Sequence, residues 1–163
     1  MIIGVGTDMK EIERVRKACG KQAFFTRCFS VREQEMIRGQ MDKAAGNFAV
    51  KEAVAKVFGT GFSGFRPGDI EVLRDERGKP YVNLLRGAKE AAVSAGIVKI
   101  HVSITNTDCY AVAFAVGEGE KYEISADWSA DETGRPKDDH RDGYAVDGSD
   151  GAGGTFCCGD DGV

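Results

Sequence analysis

At 163 residues, with 42% hydrophobic and 29% charged side chains, the chain has the length and apolar content of one domain with a real core. No apolar run is long enough to span a membrane, and the opening M-I-I-G-V-G lacks the basic n-region of a signal peptide. Five cysteines without C-x-x-C spacing indicate neither a disulfide framework nor a zinc site, which makes the cytoplasm the expected compartment.

In chain order, residues 2–6 read as a short strand, with Thr7-Asp8 as the turn that leaves it. Residues 11–18 read as a helix, with Ile12 and Val15 at apolar spacing and Arg14, Arg16 and Lys17 outward. Phe24, Phe25 and Phe29 form an apolar cluster. Ser30-Val31-Arg32-Glu33 is a capping box that starts a helix at Val31, running to about Arg38. Asp42 is expected to cap a long helix that stops at Gly59, a natural left-handed C-cap. On that helix Ala49, Val50, Ala53, Val54 and Val57 form an apolar arc, and Phe48, Ala55 and Phe58 extend apolar character to the other side. Such a helix is buried almost all round, yet Glu52 and Lys56 interrupt it one turn apart. They suit either a structural i,i+4 ion pair or a functional site.

Further on, residues 70–73 and 80–84 read as the two strands of a hairpin around Asp75-Glu76-Arg77-Gly78-Lys79. Residues 87–95 form an alanine-rich helix ending at Gly96. Residues 100–105 alternate, with Ile100, Val102 and Ile104 toward the core and His101 on the polar face. Asn106-Thr107-Asp108 turns the chain into residues 109–116, a nearly continuous apolar run expected to be a buried strand. Beyond Gly117 the composition becomes rich in Asp and Gly without periodicity. Residues 1–119 are thus expected to be the folded domain, and 120–163 a disordered acidic tail that buries too little apolar surface to offset ordering. Residues 1–117 carry 18 Lys and Arg against 13 Asp and Glu, and residues 118–163 carry 4 against 13. A basic body suits an acidic partner or a phosphate-rich ligand, and the tail is either an inert solubilising extension or, tethered beside the body, a competitor of such a partner.

Three places carry residues suited to chemistry. Asp8, beside glycine-bordered turn residues, and Glu52 are two carboxylates. With a nearby lysine they suit Mg2+ and a phosphate ester, because Mg2+ prefers oxygen ligands and keeps several waters. The turns Gly78-Lys79-Pro80 and Thr105-Asn106-Thr107 either close hairpins or offer N–H groups and hydroxyls to a ligand. Neither G-x-x-x-x-G-K-[ST] nor G-x-G-x-x-G occurs, so nucleotide binding through those loops is not indicated. His101 and His140 are far apart in sequence, and aromatic residues do not interleave with basic ones as in RNA-binding sheets. Neither a nucleic acid nor a membrane is expected as a partner.

Laid out this way, residues 1–117 resemble the holo-[acyl-carrier-protein] synthases, the bacterial 4'-phosphopantetheinyl transferase family. Four segments carry the resemblance in order: I-I-G-V-G-T-D-M-K-E-I-E-R-V, F-A-V-K-E-A-V-A-K-V-F-G-T-G, D-E-R-G-K-P-Y and H-V-S-I-T-N-T-D-C-Y-A-V-A-F-A-V. The resemblance implies an α+β fold, a small antiparallel sheet packed on a long central helix, in a homotrimer with active sites between subunits. It implies transfer of the phosphopantetheine arm of coenzyme A to a serine of apo-acyl carrier protein, releasing adenosine 3',5'-bisphosphate. Asp8 and Glu52 would hold Mg2+, Lys56 would face the phosphates, and Glu52 would act as base toward the serine. Lys51, Lys56, Gly78, Lys79, Pro80, Ser103, Thr105 and Asn106 would bind coenzyme A, and Arg14 would meet the carrier protein. Asn47 stands where the family commonly has an Arg against a coenzyme A phosphate, so Asn47→Arg is expected to lower the coenzyme A KM. A non-catalytic homologue that binds carrier protein or nucleotide, and a Mg2+-dependent hydrolase of phosphate esters, are the competing readings.

Overall fold

The computed structural model describes residues 1–120; the acidic tail and the Cys157-Cys158 pair lie outside them, apart from Glu120. The described chain runs β1 (Ile2–Glu11), α1 (Ile12–Cys19), α2 (Gln22–Cys28), α3 (Val31–Ile37), α4 (Met41–Val57), a 3-10 turn (Pro67–Asp69), β2 (Ile70–Arg74), β3 (Pro80–Leu84), α5 (Arg86–Ser94), β4 (Ile97–Asn106) and β5 (Tyr110–Gly119). Strands β1, β5 and β4 form an antiparallel sheet in that order, and β2 and β3 form a separate antiparallel hairpin.

Helix α4 lies between these two layers. Val50, Val54 and Val57 share one apolar cluster with Ala113 and Ala115 of β5 and with Ile70 and Val72 of β2. Its first half joins a second cluster with Ile12, Val15, Phe29 and Ile37, which ties α1, α2 and α3 to the same helix. Covering layers on several sides explain the apolar character around its circumference.

Contact between the sheet and α4 depends on glycine. A Cβ at Gly6 would sit 2.0 Å from the Ala53 carbonyl oxygen, and one at Gly4 would sit 2.6 Å from that of Val57. Side chains alternate along a strand, so Gly4, Gly6, Asp8 and Lys10 share the face toward α4. Two missing side chains let the strand backbone lie against the helix backbone, and the next two residues on that face are charged.

Several expected boundaries move. The first strand continues to Glu11, because every residue from Gly4 to Glu11 pairs with β5; Asp8 is therefore mid-strand and not in a turn. The Phe24–Phe29 region is a helix, α2, held by ring contacts of Phe24 with Phe48 and Phe25 with Phe29. Helix α4 begins at Met41 without a side-chain cap, and Asp42 lies in its first turn. The run expected to be a buried strand alternates instead. Ala111, Ala113 and Ala115 are buried, whereas Tyr110 and Phe114 are 45% and 48% exposed. Only small side chains fit between β5 and α4, so the large ones point to the outer face. The capping box of Ser30 and Glu33 is present as expected, and Gly59 takes φ 74° just after α4.

Candidate active site

Strand β1 and helix α4 bring four charges together. Helical spacing puts Glu52 and Lys56 one turn apart, and strand spacing puts Asp8 and Lys10 on the face that meets them. The four do not pair as the sequence suggests. Lys56 Nζ lies 3.1 Å from Asp8 Oδ1 and donates to the Thr7 carbonyl at 2.7 Å. Lys10 Nζ lies 3.1 Å from Asp8 Oδ2 and 3.0 Å from Glu52 Oε1. Each carboxylate thus meets an ammonium from the other element, and Glu52 and Lys56 do not form the i,i+4 pair that is one of the two readings of the sequence.

The Asp8 carboxylate is nearly buried, with a side-chain exposure of 9%, while Glu52 keeps 28%. Although Lys10 is close, its approach to Asp8 Oδ2 misses hydrogen-bond geometry, and that buried oxygen has no hydrogen-bond partner. A buried carboxylate oxygen with unused lone pairs is costly unless something else satisfies it. Together with Glu52 it offers hard oxygen ligands from two rigid elements, which fits a divalent cation such as Mg2+. Among the described residues no group of three or more His, Cys, Asp or Glu gathers as a metal site. Two carboxylates suit an ion that completes its shell with water and substrate oxygens, not an all-protein cage.

Glu52 opens onto a cleft of about 320 Å³ between β1, α1, α2 and α4, lined among others by Lys10, Glu11, Arg14 and Phe48, and Asp8 lies behind it in contact with Lys10. Arg14 is an exposed residue of α1 at this cleft. The Lys10 ammonium also stands over the Phe48 ring, 5.5 Å from its centroid, in cation–π range. Lys10 does not stand out in the sequence. Carrying the strand pattern past Gly6 would have placed it on the Asp8 face.

The structure separates other expected residues from this cleft. Lys51 is fully buried, 0% exposed, and does not reach a surface ligand. Its ammonium lies 2.8 Å from Glu33 Oε2 and donates to the carbonyls of Pro67, at 3.1 Å, and Ile70. All three donors are used inside the protein, which corrects the expectation that Lys51 binds coenzyme A. Burial holds its pKa below the usual lysine range despite the opposing pull of Glu33. Asn47 is also fully buried, donating to Glu33 Oε1 at 3.2 Å and to the Val72 carbonyl at 2.9 Å. An arginine there would enter the core, so the expected gain from Asn47→Arg does not fit this position.

Gly78, Lys79 and Pro80 close the β2–β3 hairpin. Asp75 Oδ1 takes the N–H groups of Arg77 at 2.9 Å and Lys79 at 2.8 Å, and the Asp75 carbonyl takes that of Gly78 at 2.9 Å. The turn donors expected to meet a ligand are thus engaged internally, and the exposed Lys79 ammonium is what the turn still offers. Ser103 and Thr105 lie opposite Phe114 and Val112 on the outer face of the sheet, away from α4. Asn106 is on the opposite parity, with Oδ1 3.7 Å from where a Cβ on Gly46 of α4 would be. Within one chain, then, Asp8, Lys10, Glu52 and Lys56 converge, Arg14 shares the cleft with Lys10 and Glu52, and Ser103, Thr105 and the hairpin turn do not join them. His101 pairs with Glu118 at 2.8 Å on the surface.

A family model described as the 4'-phosphopantetheinyl transferase superfamily matches residues 4–115, which include the whole cleft. The chain belongs to that superfamily. It is 52% identical over 118 residues to the holo-[acyl-carrier-protein] synthase of Lachnoclostridium phytofermentans, covering 72% of this chain and 97% of that protein. Among solved structures, the acyl carrier protein synthase of Plasmodium yoelii with ADP bound superposes with a TM-score of 0.68 at 32% identity, over 74% of this chain and 98% of that one. The holo-(acyl-carrier-protein) synthase of Bacillus anthracis str. Ames, in complex with CoA (3',5'-ADP), gives a TM-score of 0.62 at 32% identity, over 74% and 99%. The fold is thus the α+β fold of phosphopantetheinyl transferases, and the chain is an enzyme of that family.

Proposed function

We propose that this phosphopantetheinyl transferase moves the 4'-phosphopantetheine arm of coenzyme A onto a serine of apo-acyl carrier protein, using Mg2+ held by Asp8 and Glu52. The convergence of these two carboxylates, one with a buried oxygen that accepts no hydrogen bond, carries the metal part of the reading. The 52% identity over 97% of a holo-[acyl-carrier-protein] synthase supports the reaction.

Asp8 and Glu52 would hold the divalent ion, which would supply positive charge against the pyrophosphate as adenosine 3',5'-bisphosphate leaves. Lys56, whose side chain is 54% exposed, braces Asp8 through one oxygen and presents positive charge to the phosphates. Glu52 is partly exposed on the cleft side and accepts the proton of the acceptor serine as the serine oxygen attacks phosphorus. Arg14, at the cleft rim, meets acidic groups of the carrier protein, in keeping with the positive surplus of residues 1–117.

The enzyme works as a homotrimer with sites between subunits. An outer sheet face leaves Val5 58%, Met9 59% and Phe114 48% exposed, more apolar surface than a solvated sheet face usually carries. In such an assembly Lys79, Ser103, Thr105 and Asn106 approach the coenzyme A held by a neighbouring subunit. Free thiols at Cys19, Cys28 and Cys109 support a cytoplasmic setting. Among the described residues no helix is long and apolar enough to cross a membrane.

Incubating the protein with coenzyme A, Mg2+ and apo-acyl carrier protein tests the reaction by intact mass. A gain of one phosphopantetheine on the carrier supports transfer. Coenzyme A cleavage without that gain supports a hydrolase, and no reaction supports a non-catalytic binding protein. Light scattering tests the assembly, and a monomer at assay concentration overturns the trimer.

A further inference from the structure

The ammonium of Lys10 stands within contact distance of both proposed metal ligands, 3.1 Å from Asp8 Oδ2 and 3.0 Å from Glu52 Oε1. We propose that Lys10 is a tethered counter-ion that the divalent cation must displace, so that this side chain sets the metal affinity of the enzyme. The inference rests on the reading of Asp8 and Glu52 as the divalent site.

Four observations support it. Asp8 Oδ1 is engaged by Lys56, so the oxygen that remains for a metal is Oδ2, the one Lys10 faces. Lys10 lies two residues beyond Asp8 on the same strand face, so backbone geometry holds its stem beside the carboxylates. Its third neighbour is the Phe48 ring at 5.5 Å, which gives the ammonium a defined resting place without binding it covalently. Its approach to Oδ2 lacks hydrogen-bond geometry, so the contact with Asp8 is an ion pair without a directed hydrogen bond. An ammonium and a divalent ion cannot share the same two oxygens, because like charges at such separations repel strongly. When the metal enters, the long flexible stem turns the ammonium into the adjoining cleft, which Lys10 itself lines together with Arg14.

The test measures metal binding without coenzyme A. Mg2+ is titrated calorimetrically, and Mn2+ by electron paramagnetic resonance, into wild type, Lys10→Met and Lys10→Arg. Two partly exposed ion pairs are lost in the methionine variant, so its Kd for Mg2+ should fall by about tenfold, while the arginine variant stays within about twofold of wild type. Without metal, Lys10→Met should melt below wild type, since two carboxylates lose their counter-ion, and saturating Mg2+ should close the gap. If Lys10→Met is too unstable to purify, Lys10→Gln should show the same tightening. A neutral variant that binds Mg2+ as weakly as wild type, or more weakly, overturns the proposal while leaving the metal site intact. Wild type and variants that all fail to bind either ion overturn the metal site itself, and this proposal with it.

Discussion

Replacing Lys51 by methionine should destabilise the enzyme sharply while leaving its affinity for coenzyme A alone. The substitution keeps most of the side-chain volume but removes an ammonium that is 0% exposed and pairs with the equally buried Glu33. It also strips the Pro67 and Ile70 carbonyls of a donor. Breaking one half of a buried pair costs about 3–5 kcal/mol, because the remaining charge is left uncompensated. Glu33 retains the Ser30 N–H at 2.9 Å and the Asn47 amide at 3.2 Å, which places the loss at the lower end, about 3 kcal/mol. For a folded region of this size that lowers Tm by about 10–15 °C. Urea denaturation of wild type, Lys51→Met and the double variant Glu33→Met/Lys51→Met measures it. The double variant should recover much of the loss, since an apolar pair of similar volume replaces a buried ion pair at little cost. A single-variant loss below about 1 kcal/mol would refute the buried-pair account. So would a large rise in coenzyme A KM with stability unchanged, which would return Lys51 to the substrate.

Three other outcomes test the same structure. Gly6→Ala drives a Cβ to 2.0 Å from the Ala53 carbonyl, so it should cost about 3 kcal/mol and lower transfer activity by moving Asp8; unchanged Tm and rate would contradict the close packing of β1 on α4. Glu52→Gln should lower kcat by about a hundredfold or more with little loss of stability, since its partner Lys10 is partly exposed; a kcat within a few-fold of wild type would remove Glu52 as base. Glu71 supplies a pH dependence. Burial pushes its pKa up, but hydrogen bonds from Asn83 and Ser30 and the charge of Arg32 outweigh it, leaving the carboxyl below its ordinary 4.5. As pH falls past 4.5 the unfolded chain takes up the proton first, so the stability these contacts provide above 4.5 is lost as pH drops through the lower folded value. Glu71→Gln should flatten that acid limb in urea titrations, and an unchanged slope would refute the assignment.

The sequence alone determined whatever depends on neighbours a few residues away. The Ser30–Glu33 capping box, the stop at Gly59, the hairpin around Gly78 and the alternation of Ile100, Val102 and Ile104 were all legible, because caps, turns and strand faces are local geometry. Asp8 and Glu52 were legible as candidates for chemistry for the same reason: charge in an apolar or glycine-rich setting stands out residue by residue. Which charge on α4 is buried was not legible. The apolar arc suggested that Glu52 and Lys56 bear the burial cost, but the fully buried cation is their neighbour Lys51. A helix enclosed between the β5 alanines and the Ile70–Val72 strand has no single polar face, so its 3.6-residue period cannot tell which side each distant layer will cover. The partners of the site charges were hidden likewise. Lys56 meets Asp8 and Lys10 meets Glu52 only because Gly4 and Gly6 let β1 settle on α4, and because β1 keeps pairing with β5 as far as Glu11. Local pattern determines what each element presents; the counter-charges come from segments 48 and 49 residues apart, which only packing brings together.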